Sequence, residues 1–80
     1  MLIIYGNMQC PDCQNCREAL DRANIAYEYR DFTVSLRYLK EFLALRDSRA
    51  EFDAVKEAGA IGIPCILRED GHITLDWENI

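Results

Sequence analysis

Residues 2–13 have the sequence LIIYGNMQCPDC. The first four residues of this segment are apolar and β-prone, which is typical of a short buried strand, and Gly6-Asn7 ends the run. Pro11 suits the first position of a helix, and apolar residues continue at helical spacing as far as Asn24. The segment therefore predicts a strand, a loop and a helix, with two cysteines where the helix begins.

The following residues predict a second strand and two more helices. Residues 26–32 alternate between apolar and polar side chains, so we expect a strand that lies parallel to the first after a right-handed crossover. A helix follows and ends before Asp47; its predicted apolar face consists of Leu36, Leu39, Phe42 and Leu43. Ser48 and Glu51 have the spacing of a capping box at the start of a third helix, which we expect to end at Gly59.

The last part of the chain predicts a β-hairpin. Residues 63–67 favour a third strand, Asp70-Gly71 a tight turn, and residues 72–77 a fourth strand. A chain of 80 residues has room for one hydrophobic core. The sequence therefore predicts a single α/β domain over residues 1–80, with a four-stranded sheet flanked by about three helices.

The composition excludes several classes of function. Nine Lys and Arg residues against fourteen Asp and Glu residues give a net charge of −5, and no basic run is present, which argues against a nucleic-acid partner. The longest apolar runs, such as residues 58–66, are far shorter than the roughly 20 residues that span a bilayer. The N-terminus lacks the pattern of a signal peptide. We therefore expect a cytoplasmic monomer that does not bind membranes.

The four cysteines carry most of the functional information. Cys10, Cys13 and Cys16 are evenly spaced, and Cys65 lies far away beside a proline. In a reducing cytosol this pattern indicates redox chemistry or metal binding before structural disulfides. A thiolate at Cys10 would face the unpaired amides and the positive end of the first helix, which stabilise the attacking form. Cys13, one turn deeper, would then attack the mixed disulfide and release the product.

These cysteines occur in a wider pattern that resembles a known family. Its parts are Tyr5-Gly6, the CPDC motif of residues 10–13, and Gly62-Ile63-Pro64 ahead of a hairpin. The pattern resembles the glutaredoxins of the thioredoxin superfamily, above all their short bacterial glutaredoxin-related members, and covers nearly the whole chain. The resemblance implies a thioredoxin-like fold with a mixed sheet in the strand order 2-1-3-4.

The resemblance also implies an activity and a set of residues. It implies a thiol-disulfide oxidoreductase that reduces disulfides or mixed disulfides, with Cys10 and Cys13 as the catalytic pair. No bound cofactor is implied; the reductant is an external thiol such as glutathione, and the partner is a disulfide-containing protein or a small thiol. A cis peptide bond is expected before the proline of the third strand. The expected substrate-binding residues are Pro11, Asp12, Ile63 and Pro64.

The sequence departs from the glutaredoxin pattern at two places. The usual Gly-Gly and acidic residue after the last strand are absent, and Asp12 replaces the usual aromatic residue before the second cysteine. The carboxylate of Asp12 opposes both a thiolate at Cys10 and an anionic tripeptide such as glutathione. We therefore expect a protein of the reducing type, and the identity of its small thiol stays open.

The other two cysteines each have two interpretations. Cys16 is in phase with the apolar side of the first helix, which favours a core position over a third redox or metal role. Cys65 is either a buried strand residue or a thiol close to Cys10 and Cys13 that could serve as an alternative disulfide partner. The alternative function is a module in which all four cysteines bind zinc or an iron–sulfur cluster, although a regular helix turns Cys16 about 240° away from Cys10. Candidates for holding a substrate carboxylate, with helix-surface solvation as the alternative, are Arg37, Lys40, Arg46 and Arg49.

Overall fold

Seven helices and strands follow one another along residues 1–79, the part of the chain that the computed structural model describes. In chain order they are β1 (Leu2–Gly6), α1 (Pro11–Arg22), β2 (Tyr27–Asp31), α2 (Leu36–Ser48), α3 (Asp53–Glu57), β3 (Cys65–Leu67) and β4 (Ile73–Thr74). Short 3₁₀ turns precede α3 and follow β4, at Ala50–Phe52 and Trp77–Asn79.

The four strands form one mixed sheet in the order β2-β1-β3-β4. β1 pairs in parallel with β2, with Ile4 opposite Tyr29, and antiparallel with β3, with Tyr5 opposite Cys65. β3 and β4 pair as an antiparallel hairpin. This is the thioredoxin-like α/β arrangement that the resemblance implies, so the predicted fold class and strand order are confirmed.

Alternation along the strands divides the core between the two faces of the sheet. One cluster contains Ile4 and Ile66 together with Cys16 and Leu20 of α1. The other consists of Tyr5, Phe42, Phe52, Cys65 and Ile73, and so joins the sheet to α2 and to the 3₁₀ turn before α3, with Val55 of α3 packed against it. Because successive strand residues point to opposite faces, a one-residue step decides which helix a side chain meets.

The prediction for α2 was wrong about the residue at which the helix ends and about part of its buried face. The helix continues to Ser48, and the Ser48 hydroxyl donates a 2.7 Å hydrogen bond back to the Ala44 carbonyl instead of capping the next helix. Phe42 is buried, whereas Leu36 and Leu43 remain 66% and 41% exposed. The sheet thus covers a narrower stripe of α2 than the run of leucines suggested.

The hairpin strands are shorter than predicted. β3 begins at Cys65 because Pro64 has no amide to give to the sheet. β4 ends at Thr74, whose hydroxyl accepts the amide of Asp76 at 3.2 Å, and Trp77 therefore lies in a 3₁₀ turn and not in a strand. The predicted turn is present, with Gly71 at φ 90°.

Within residues 1–79 no helix has both the length and the apolar character needed to cross a membrane.

Candidate active site

Cys10 is the N-cap residue of α1. Its backbone is extended, with φ −83° and ψ 121°, and its carbonyl accepts the Gln14 amide at 3.1 Å. Pro11 occupies the first turn, as predicted, because its fixed φ suits a helix start and it has no amide to leave unpaired. The Cys10 thiol is half-buried and makes no capping hydrogen bond to the first turn. It therefore lies at the positive end of the α1 dipole while remaining accessible.

The loop between β1 and α1 is held by Asn7. The Asn7 carbonyl accepts the Cys10 amide at 3.0 Å, and its side-chain oxygen accepts the Gln9 amide at 2.9 Å. A side chain that bonds the backbone two residues further on forms an Asx turn, which fixes a loop without regular structure. Asn7 thus sets where Cys10 stands relative to the end of β1.

Cys13 lies one turn further along α1 and is fully buried. Burial raises the pKa of the Cys13 thiol to about 11, and the nearby Cys10 sulfur acts in the same direction, while the Asn7 backbone and the Tyr29 side chain act to lower it. Both cysteines are free thiols. The pair is therefore unequal, with an accessible thiol at Cys10 and a sheltered, protonated thiol at Cys13.

Gly6 provides the space in which the Cys13 sulfur sits. A Cβ at Gly6 would lie 2.8 Å from the Cys13 sulfur and 2.8 Å from the Tyr29 hydroxyl, distances that real side chains do not adopt. The absence of a side chain at the end of β1 thus lets α1 and β2 approach each other. Sequence reasoning used Gly6 as the end of a strand and missed this role.

Tyr29 faces the same space from β2. Its hydroxyl is buried and has no hydrogen-bond partner within residues 1–79. The guanidinium of Arg17 lies 4.6 Å from the centre of the Tyr29 ring, and burial raises the pKa of this phenol above its ordinary value. The hydroxyl therefore stays protonated next to Cys13.

Arg17 links this cluster to the surface. Its guanidinium donates to the Tyr27 hydroxyl at 3.4 Å, and the Tyr27 hydroxyl in turn donates to Asp21 at 2.8 Å. A groove of about 320 Å³ runs along this side of α1 and is lined by Met8, Gln14, Arg17, Glu18 and Asp21. Neither Ile63 nor Pro64 is among the residues that line it.

Pro64 is placed beside this cluster by the sheet. Tyr5 pairs with Cys65, so the next position along the two strands sets Gly6 next to Pro64. Pro64 is buried, and the bond that precedes it is cis, as the resemblance implies. The backbone of Ile63 forms no hydrogen bond with another backbone group of residues 1–79 outside the regular elements. The strand register thus places Pro64 beside Gly6, the residue that makes room for the Cys13 sulfur.

The segment that leads to Pro64 is fixed from two sides. Gly62 has φ 93°, and a Cβ there would lie 2.9 Å from the Phe52 ring. Arg46 of α2 donates to the carbonyl of Ile61 at 2.9 Å and to that of Ala60 at 2.7 Å. Arg46, a candidate for binding a substrate carboxylate, thus holds backbone of its own chain. Arg49 does the same at the hairpin, where it donates to the Gly71 carbonyl at 3.0 Å.

Cys65 lies on a different face of the sheet from Cys13. Its side chain packs with Tyr5 and Phe52 on the face covered by α2 and α3, whereas Cys13 lies on the α1 side. Of the two interpretations of Cys65, its packing supports the buried strand residue, because Cys65 follows Pro64 and a one-residue step reverses the face. Burial raises the pKa of Cys65 to about 12.

Cys16 is a core residue of the α1 face, packed with Ile4 and Leu20. Burial raises the pKa of its thiol to about 11. Within residues 1–79 the structure assembles no group of three or more His, Cys, Asp or Glu side chains suited to a metal ion. The four cysteines are divided between two faces of the sheet, so this geometry gives no support to a shared metal site.

A protein of Haemophilus influenzae (strain ATCC 51907 / DSM 11121 / KW20 / Rd) is similar to this chain. The two sequences are 40% identical over 78 residues, which cover 98% of this chain and 91% of the relative. The two proteins belong to one family. The relative is described as an uncharacterized protein, and no protein-family model or solved structure matches the chain.

Proposed function

We propose that the protein is a glutaredoxin-like thiol-disulfide oxidoreductase. The observation that carries the proposal is the unequal exposure of two adjacent thiols at the start of α1. Cys10 is accessible and stands at the helix end, whereas Cys13 is buried and protonated. This asymmetry suits a reaction in which the outer sulfur attacks the substrate and the inner sulfur completes the exchange.

The reaction has two steps. The Cys10 thiolate attacks a substrate disulfide, which forms a mixed disulfide on Cys10 and releases one substrate thiol. Cys13 then loses its proton and attacks the Cys10 sulfur, which forms the Cys10–Cys13 disulfide and releases the second substrate thiol. An external thiol, glutathione or a dithiol protein, reduces the new disulfide and completes the cycle.

Substrate binding falls on the residues around this pair. Pro11 and Asp12 are exposed in the first turn of α1. The free backbone of Ile63, next to Pro64, suits hydrogen bonding to an extended peptide or tripeptide that lies across Cys10. The partner is a protein disulfide or a mixed disulfide with a small thiol, in a reducing compartment such as the cytoplasm.

A reduction assay with a matched set of cysteine variants tests the proposal. Cys10→Ser should abolish reduction of both a glutathione mixed disulfide and a protein disulfide. Cys13→Ser should accumulate a mixed disulfide on Cys10 that is visible by mass spectrometry of the intact protein. Cys16→Ala removes a buried thiol from the same helix and serves as the control, which should retain activity. Full activity in Cys10→Ser would overturn the proposal.

A further inference from the structure

The Tyr29 hydroxyl is a buried polar group with no hydrogen-bond partner among the protein groups of residues 1–79. No other buried side-chain nitrogen or oxygen in residues 1–79 is left without one. Such a group is costly, and it persists where a partner is supplied at another stage of function. Tyr27, two residues earlier on β2, has its hydroxyl engaged by Asp21 and Arg17. The unpaired state is therefore particular to Tyr29.

The sulfur of Cys13 is positioned to be that partner. It and the Tyr29 oxygen each lie 2.8 Å from the same point, the position of a Cβ on Gly6. A protonated thiol is a poor hydrogen-bond acceptor, so the Tyr29 hydroxyl and the neutral Cys13 thiol interact only weakly. A thiolate is a much stronger acceptor, and hydrogen bonds to an ionised group are about twice as strong as those between neutral groups.

We propose that Tyr29 is a positioning residue for Cys13. The Tyr29 hydroxyl donates a hydrogen bond to the Cys13 thiolate while the Cys13 sulfur attacks the mixed disulfide on Cys10. The inference rests on the proposed function. The phenol keeps its proton throughout. The proton lost by Cys13 passes through solvent to the thiolate that leaves, so Cys10–S–S–R and the Cys13 thiol become the Cys10–Cys13 disulfide and RSH.

The Asn7 backbone also acts to lower the pKa of Cys13, so Tyr29 is the side-chain donor beside a backbone donor. From α1 come Cys10, which carries no charge in the mixed disulfide, and Arg17, which lies over the Tyr29 ring. From β2 comes Asp31, which acts on Tyr29 and, as an anion, opposes a thiolate nearby. β1 contributes the Gly6 backbone, the loop after β1 contributes the Asn7 backbone, which Tyr29→Phe leaves in place, and β3 contributes Ile66 to this face.

Tyr29→Phe removes the hydroxyl and little else. The mixed disulfide is formed on Cys10 with an aromatic disulfide that releases the coloured thionitrobenzoate anion. A first release reports the attack by Cys10, and a second release reports the attack by Cys13. Both releases are followed by stopped flow as a function of pH, in the full-length protein. Tyr27→Phe is the control, because it makes the same change on the same strand where the hydroxyl bonds elsewhere.

The expected result is a displaced pH profile for the second release only. Loss of one hydrogen bond to a thiolate should move the profile upward by about one pH unit. The thiolate fraction then falls about tenfold near neutral pH, while the more basic thiolate is about threefold more nucleophilic, so the second release slows about threefold. The first release should be unchanged, and Tyr27→Phe should match the unaltered protein in both.

A second measurement does not depend on activity. Cysteine labelled with carbon-13 at Cβ reports the ionisation of Cys13 by NMR in a Cys10→Ser background. Adding Tyr29→Phe to that background should raise the Cys13 titration by about one pH unit, and adding Tyr27→Phe should not. Thermal unfolding of each variant shows whether the fold is kept.

The outcomes separate the two proposals. An upward displacement of both the second release and the NMR titration supports the role of Tyr29. A titration that Tyr29→Phe leaves in place overturns it, whether the second release is unaltered or slowed equally at every pH. Failure of the unaltered protein to form any adduct on Cys10 overturns the proposed function instead. The NMR titration of Cys13 needs no adduct, so it still tests the hydrogen bond from Tyr29 in that case.

Discussion

The Arg46 side chain donates a 2.9 Å hydrogen bond to the carbonyl of Ile61, fifteen residues further along the chain. A second bond, of 2.7 Å, reaches the carbonyl of Ala60. Together they attach the last turn of α2 to the segment that leads into Ile63 and Pro64. If Ile63 presents its backbone to a substrate, Arg46 determines how well that backbone is positioned.

Arg46→Met should therefore weaken substrate binding more than catalysis. Each bond is exposed and contributes about 0.5 to 1.5 kcal/mol, so we expect KM for a glutathione mixed disulfide to rise about three- to tenfold while kcat changes little. Steady-state kinetics measure both values. Arg37→Met is the control, since Arg37 lies on the same helix and its exposed side chain contacts Glu41 and the Tyr38 ring of that helix. An equal rise in KM for both variants would contradict the role of Arg46.

Gly6→Ala should disturb the fold and the cysteine pair together. The added methyl group would lie 2.8 Å from both the Cys13 sulfur and the Tyr29 hydroxyl. Overpacking of this kind costs about 1 to 3 kcal/mol in the free energy of unfolding, measured by urea denaturation, and should also slow the attack of Cys13 on a Cys10 adduct.

Gly71→Ala is the matched control for this prediction. A Cβ at Gly71 would meet no atom within 4 Å, although its φ of 90° is strained for alanine. We expect a loss of about 1 to 2 kcal/mol in stability from that strain and no change in the cysteine chemistry. If Gly6→Ala kept both the stability and the rate, the close approach of α1 and β2 at Gly6 would be wrong.

The elements with strong local signals could be predicted from the sequence. The apolar run of β1, the proline at the start of α1 and the Asp70-Gly71 turn each determine their own structure. The prediction of a capping box at Ser48 was wrong, because a serine at the end of a helix can also donate to the carbonyl four residues earlier. α2 continues far enough for Ser48 to do so.

Contacts between distant elements were beyond sequence reasoning. Tyr29 reads as one apolar residue of an alternating strand, and its approach to Cys13 exists only once α1 packs on the sheet. One signal was present: in a β-α-β unit the carboxyl ends of parallel strands share an edge, so the last residues of β2 had to lie near the CPDC motif. The face of the sheet on which the Cys65 side chain lies is determined by the strand register, and its closeness to Pro64 along the chain does not indicate that face.

The buried thiols should make the reduced protein sensitive to alkaline pH. Burial raises the pKa of Cys16 from 9.0 to about 11, so the folded state holds a proton that the unfolded chain releases first. The resulting stability is fully present below about pH 9 and is lost as the pH rises towards the folded pKa. Cys16→Ala removes this group, and its free energy of unfolding should fall less steeply over that range.

Urea denaturation under reducing conditions, from neutral pH to the alkaline limit of folding, measures these slopes. At about 1.4 kcal/mol per pKa unit, Cys16 accounts for at most about 3 kcal/mol of the alkaline loss. The cavity in Cys16→Ala lowers stability at every pH, so the slopes and not the absolute values are compared. Identical slopes would show that the Cys16 thiol ionises equally in both states.

Asp12→Asn should speed the reaction of Cys10 at a cost to the helix. Asp12 is exposed in the first turn of α1. A negative charge there stabilises the helix by about 0.3 to 1 kcal/mol through the helix dipole. The same charge opposes a thiolate at Cys10. Because the reacting sulfur and the glutathione mixed disulfide both carry negative charge, removing the carboxylate should increase the rate of alkylation by iodoacetamide and the rate of reduction of that mixed disulfide. Both gains should shrink as salt screens the carboxylate, because exposed charges interact weakly beyond about 10 Å at 0.1 M salt. Glu18→Gln removes a charge two turns further along α1 and should change neither rate; an Asp12→Asn rate equal to that of the unaltered protein at low salt would mean that the carboxylate points away from Cys10.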